Sequence, residues 1–155
     1  MKPGTFTQIY IHLIFAVKFR EGILKKEFRD EIFKYISGII SNRKCKPIIV
    51  NGVQDHVHIL VGLNPNEKLS DLVAHIKRDS TKFINSKSLF NGKFQWQDGY
   101  GAFSCNRSQL NKVYNYILNQ EEHHRVKSFR EEYIEFLKEY GIKYDEKFLF
   151  DDLRD

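Results

Sequence analysis

The chain of 155 residues has little that would divide or cross-link a fold. Three prolines, no low-complexity stretch and no internal repeat leave no linker, so one compact domain is the simplest reading. Two cysteines, Cys45 and Cys105, form neither a zinc pattern nor a disulfide framework. They are expected to be reduced and the protein cytoplasmic, although two thiols also permit one disulfide. No apolar run approaches the roughly 18 residues that a membrane span needs. The opening Met1 to Thr5 carries no signal-peptide apolar core. No Gly-rich loop is present to cradle a nucleotide phosphate.

What is present is a basic globular composition. Hydrophobic residues make up 41% and charged residues 29%, which suits a soluble domain with a real core. The net charge of +5 favours an anionic partner. Nucleic acid comes before membrane, because no basic amphipathic anchor is visible.

Periodicity gives the order of elements. Ile9 to Phe19 alternates with period two and is apolar on both faces, as in a middle strand. Glu27 to Ile40 has a helical stripe through Phe28, Ile32, Tyr35, Ile36 and Ile39. Pro47 to Val53 and His56 to Leu63 read as a tight hairpin turned at Gln54-Asp55. A second helix runs to about Ser86, and an extended segment, Phe94 to Ser104, is broken at Asp98-Gly99. A third helix, capped by Asn106 or Ser108, runs to about Glu122. A fourth spans Ser128 to Tyr140 and is closed by Gly141, and the tail after it contains Phe148, Leu149 and Phe150. The order βαββαβ plus two helices predicts an α+β, ferredoxin-like fold as a single domain over 1–155. Its two crossover helices would cover one sheet face and leave the other free.

His56-Val57-His58 is the first chemical signal. Residues two apart on a strand share a face, about 7 Å from each other, so both imidazoles can reach one metal ion. Taken alone, the pair is as readily two strand histidines with ordinary hydrogen bonds. Tyr116 and Gln120 supply the second signal, because residues four apart on a helix lie one turn from each other. Leu110, Val113, Tyr114, Ile117 and Leu118 form the expected buried stripe, and Tyr116 lies about 140° from its middle. Tyr114 therefore reads as a core aromatic and Tyr116 as the free one, a surface tyrosine or a nucleophile.

A phenol attacks poorly unless its oxyanion is stabilised, and a divalent cation supplies that stabilisation. His56, His58 and the Gln120 oxygen would hold the metal, Mg²⁺ or Mn²⁺, with Tyr116 as nucleophile. Asp55 is either an orienting neighbour or only a turn residue. His123 and His124 are close in sequence to Gln120 and rank below it. His75, Arg78 and Lys82 share the polar side of the second helix, with Lys77 near its edge. Lys18, Arg20, Arg43, Lys44 and Lys46 cluster near strand ends. All of these could track a phosphate backbone or be a solvated face. Trp96, Tyr100 and Phe103 could stack on bases or fill the core.

In the order and spacing of four segments the chain resembles the single-tyrosine HUH transposases, which move bacterial insertion sequences as single-stranded DNA. The segments are Ile11 to Arg20, Asp55 to Val61, Trp96 to Tyr100 and Tyr116 to His124. The resemblance implies that His56, His58 and Gln120 bind the metal. It implies that Tyr116 forms a 5′-phosphotyrosine bond and releases a 3′-hydroxyl that later rejoins the DNA. It also implies a homodimer that binds hairpins at element ends, with active sites completed in cis or in trans. A domesticated relative that cleaves repeat hairpins, a replication initiator and a non-catalytic ferredoxin-like nucleic-acid-binding protein are the alternatives.

Overall fold

The computed structural model describes residues 3–18, 24–89 and 92–149. The elements are β1 Tyr10–Ala16, α1 Lys26–Asn42, β2 Lys46–Gly52, β3 His56–Gly62, α2 Leu69–Ser86 and β4 Gly101–Cys105, followed by α3 Leu110–Leu118, α4 Gln120–Val126 and α5 Phe129–Glu139. Four strands form one sheet in the order β2-β3-β1-β4, with every pairing antiparallel. This is the ferredoxin-like α+β architecture that the element order predicts. No helix among the described residues is long and apolar enough to cross a membrane.

β1 and β3 pair at the centre of the sheet. Their registers put Ile14 opposite His58 and Ala16 opposite His56. Alternation sends Leu13, Phe15, Val57, Ile59 and Val61 to one face, where they pack with Ile32, Ile36, Ile40, Leu72, Ile76 and Ile84 of α1 and α2. His12, His56, His58 and Leu60 take the other face.

That second face is not free. Ile117 of α3 packs on Leu60 and Cys105, and the α5 residues Phe129, Tyr133 and Leu137 are buried against the sheet. Ile14, Ala16 and Leu60 on this face are apolar and would otherwise meet water. Burying a side chain such as Phe129 or Leu137 is worth roughly 1.5–3 kcal/mol. Ser128 starts α5 by accepting a hydrogen bond from the Glu131 amide, and Gly141 (φ 65°) follows its end.

The expected third helix is broken. Asn106 caps a short 3-10 turn, Arg107–Gln109, through a reciprocal pair of hydrogen bonds with Gln109. α3 then ends at Asn119 (φ −97°, ψ 28°), and Gln120 begins α4. Asn51 of β2 donates its side-chain amide to the carbonyls of Ile117 and Leu118, at 2.9 and 3.2 Å. These acceptors would otherwise serve amides of the next turn. Among the described residues, the extended segment before β4 makes one isolated bridge, from Trp96 to Val17. Trp96 and Phe103 are buried, and Trp96 Nε1 donates to Ser80 Oγ at 3.0 Å, so both rings are committed to the core. In the tail, Leu149 packs on the core and Phe148 is exposed; Phe150 lies outside the described residues.

Candidate active site at a buried histidine pair

His56 and His58 are each 0% exposed, with ring centroids 5.0 Å apart. Both are held through Nδ1. The Nδ1 of His56 lies 2.6 Å from Asp55 Oδ1, and that of His58 lies 2.8 Å from His12 Nε2. Asp55 thus orients His56, besides its place at the hairpin turn. Their Nε2 atoms are left for other partners. His56 Nε2 is 3.2 Å from Gln120 Oε1 and 3.8 Å from Glu132 Oε1, and His58 Nε2 is 2.8 Å from Glu132 Oε1. Donor atoms of His56, His58 and Glu132 lie within 4.8 Å of one another.

This donor set fits a divalent cation. Three atoms at its centre, His58 Nε2, Glu132 Oε1 and Gln120 Nε2, are buried without a well-formed hydrogen bond among the described residues. Buried polar atoms without partners are costly, and such a cluster is expected where ligands converge on an ion. Two imidazoles, one carboxylate and one amide oxygen suit Mn²⁺ or a similar metal.

The electrostatics match so dense a site. Burial disfavours the imidazolium of His56, but hydrogen bonding to Asp55 and Glu132 outweighs it and raises the pKa to about 9. Burial dominates at His58 and lowers its pKa despite Glu132. Burial would also raise Glu132, yet His56 and His58 hold it well below the usual carboxylate range.

Tyr116 is half-buried beside this cluster. Its ring meets His58 edge-on with centroids 5.8 Å apart, stacks on His123 at 4.4 Å and meets Phe136 edge-on at 5.5 Å. Burial, then the charge and hydrogen bonding of Glu132, push its phenol far above the ordinary value, with Gln120 opposing through a hydrogen bond. The expected stripe on α3 is rotated: Tyr114 is 39% exposed and Leu118 53%, and within α3 only Ile117 is fully buried. α3 turns its Val113, Tyr116 and Ile117 side to the sheet. Tyr114 is therefore not the core aromatic that the periodicity suggests. His123 stacks on the tyrosine instead of approaching the histidine pair directly, and the His124 side chain lies outside the described residues.

The basic candidates lie elsewhere. His75, Arg78 and Lys82 sit on α2, across the sheet from the histidines, and His75 Nδ1 and Arg78 Nη2 are 2.7 Å apart. Lys18, Lys77 and Arg78 line a shallow groove of about 410 Å³ with Gln95, Gln97 and Asp98. Lys77 Nζ donates there to the carbonyls of Gln97 and Gly99, at 2.9 and 2.6 Å. Arg20 lies outside the described residues.

Two residues of the cluster, Glu132 and His12, escape the sequence reading. The signal for Glu132 is an acid within the helical stripe Phe129, Tyr133, Phe136 and Leu137. For His12 it is an imidazole on an inward-facing position of a strand buried along most of its length.

The sequence model of the IS200-like transposase family matches residues 5–120. The ISDra2 transposase TnpA of Deinococcus radiodurans is 24% identical over 124 residues, covering 77% of this chain and 89% of that protein. A Deinococcus radiodurans R1 crystal structure assigned as a transposase superposes with a TM-score of 0.60 at 23% identity, over 77% of this chain and 96% of that one. The REP-associated tyrosine transposase bound to a REP hairpin gives 0.58 at 15% identity, over 100% of this chain and 94% of that one. At these identities the two structures share the fold with this chain. The family match spans most of the sequence and includes His56, His58, Tyr116 and Gln120, so the chain belongs to the IS200-like transposase family and is an enzyme that acts on DNA.

Proposed function

We propose that this protein is a metal-dependent single-stranded DNA transposase that cleaves and rejoins DNA through a 5′-phosphotyrosine at Tyr116. One observation carries the reading: a nucleophile-bearing ring packs against a buried set of metal-ligand types, His56, His58, Gln120 and Glu132, whose donor atoms converge. Those four residues would hold Mg²⁺ or Mn²⁺. Such an ion, when bound, polarises the phosphoryl group and neutralises the charge that builds up on it.

The chain's own residues account for the remaining steps. Asp55 and His12 fix the orientation of the two imidazoles. Glu132 lines the same cavity as Tyr116, and its negative charge keeps the phenol protonated in this state. The Tyr116 oxygen forms a bond to phosphorus, the bond from phosphorus to the 3′-oxygen breaks, and the departing oxygen takes up a proton. Rejoining runs the same exchange backwards, with a DNA 3′-hydroxyl attacking the phosphotyrosine and the phenol leaving. The bond energy is retained, so no nucleotide cofactor is required.

The REP-associated tyrosine transposase bound to a REP hairpin supports a DNA hairpin as partner, and hairpins at the ends of an element follow from the sequence resemblance. A homodimer belongs to the same reading, which rests there on the sequence resemblance. Tyr116 packs on the His58 of its own chain, which supports an active site assembled in cis in this state. His56, His58 and Gln120 are each 0% exposed, and Phe129 of α5 stacks on His56, while a cavity lined by His12, Tyr116 and Glu132 opens beside them.

The test is covalent capture. Protein is incubated with single-stranded DNA carrying flanking palindromes and Mn²⁺, and a denaturant-resistant adduct is sought. The reading expects an adduct that disappears in Tyr116→Phe and in EDTA. An adduct that persists in Tyr116→Phe moves the nucleophile elsewhere. Tight hairpin binding with no adduct on any such substrate would make the protein a non-catalytic binder.

A further inference from the structure

We infer that His12 is a positioning residue for the metal site: it accepts the Nδ1 proton of His58 and so leaves the His58 Nε2 lone pair facing Glu132. The inference rests on reading His56 and His58 as metal ligands. A neutral imidazole offers a lone pair on one nitrogen only while the other carries the proton. The tautomer is set by the partner of the nitrogen turned away from the metal. For His56 that partner is Asp55. For His58 it is the imidazole of His12, at 2.8 Å.

The geometry leaves His12 little other work. Directly across the sheet it faces Leu60 on one side and Phe103 on the other, while His58 lies diagonally, opposite Ile14. The rings of Phe103 and Phe136 meet it edge-on at 6.4 and 5.4 Å and hold its plane. His12 is 1% exposed, so the nitrogen that meets His58 is shielded from water.

The choice of imidazole over carboxylate also has a physical reason. Asp55 and Glu132 already bring two negative charges to the cluster. A third carboxylate behind His58 would repel the DNA phosphate that must enter. A neutral acceptor fixes the tautomer without adding charge.

The experiment measures Mn²⁺ binding to the full chain by the EPR signal of the free ion, so it does not depend on DNA cleavage. Glutamine places an amide near the Nε2 position of histidine, asparagine near Nδ1, and phenylalanine supplies neither. His12→Gln is expected to bind Mn²⁺ close to wild type. His12→Asn and His12→Phe should bind about 10–100-fold more weakly, the usual cost of losing such an orienting partner. Circular dichroism checks folding, and if His12→Phe does not fold, the glutamine and asparagine variants decide. Equal affinity in all variants, or an equal loss in glutamine and asparagine, overturns the inference. In the Mg²⁺-bound wild type, ¹⁵N NMR should show a protonated Nδ1 on His58, and an unprotonated Nδ1 also overturns it. Absence of Mn²⁺ binding by wild type would sink the metal-site reading and the inference with it. Normal binding with indifferent His12 variants would sink the inference alone.

Discussion

Glu132 Oε1 stands 2.8 Å from His58 Nε2, and neither atom has a well-formed hydrogen bond among the described residues. The contact joins α5 to β3 across the sheet face opposite α1 and α2. It also joins two parts of the sequence of different standing, since His58 lies within the family-matched residues 5–120 and Glu132 beyond them. The candidate metal cluster therefore draws one member from a helix that the family pattern does not describe.

Glu132→Gln removes the one anionic ligand type from His56, His58, Gln120 and Glu132. The expected result is weaker Mn²⁺ binding, read as a smaller rise in melting temperature on adding Mn²⁺. At a metal concentration of 100 times Kd, binding stabilises by about 2.7 kcal/mol, and a tenfold weaker site gives about 1.4 kcal/mol. A thermal shift equal to that of wild type would remove Glu132 from the ligand set.

Asn51 meets α3 at its last residues. Its amide holds the carbonyls of Ile117 and Leu118 immediately before the break that presents Gln120 to His56. Asn51→Leu removes both bonds and should cost about 1–2 kcal/mol of stability in urea unfolding. It should also weaken Mn²⁺ binding, because Gln120 loses its fixed position. Unchanged metal affinity alongside reduced stability would show that the break at Asn119 is maintained without Asn51.

The sequence carries β1 and the β2–β3 hairpin clearly, because β1 alternates with period two and only residues 53–55 separate β2 from β3. His56 and His58 share a face by the same alternation. The helix carrying Tyr116 is legible as a helix but not in its rotation. Tyr114 and Leu118 continue an apolar stripe that the fold leaves in solvent, since α3 packs by Val113, Tyr116 and Ile117. The break at Asn119 follows the two carbonyls that Asn51 holds, and no local pattern reports a partner on another strand. Glu132 and His12 become meaningful only once α5 is known to cover the histidine face. The chemistry of the site is thus written partly in tertiary packing.

Lys77 gives a pH dependence away from the metal cluster. Burial lowers its pKa from the ordinary 10.5 to about 8, with Asp98 opposing. The folded state therefore holds this proton less tightly than the unfolded chain does. Below about pH 8 the burial cost of the charged amine is fully present, and it is relieved as pH rises from about 8 to 10.5. In urea unfolding, wild type should gain stability relative to Lys77→Met across that window. Partial exposure of the amine reduces the size of the gain. A difference independent of pH would mean that Lys77 titrates normally.

Gly101 sets how closely α5 can approach β4. A Cβ placed there would lie 2.6 Å from the Tyr133 hydroxyl and 3.0 Å from its Cε2. Tyr133 is buried on α5, one residue from Glu132, so its displacement would carry the carboxylate with it. Gly101→Ala should destabilise by about 1–3 kcal/mol, as overpacking does. It should also speed hydrogen exchange of α5 amides and weaken Mn²⁺ binding. Adding Tyr133→Phe removes the nearer clashing atom and should restore part of all three. Lost stability with normal exchange in α5 and normal Mn²⁺ affinity would place the strain in β4. α5 would then stay seated over the histidines in spite of the added methyl group.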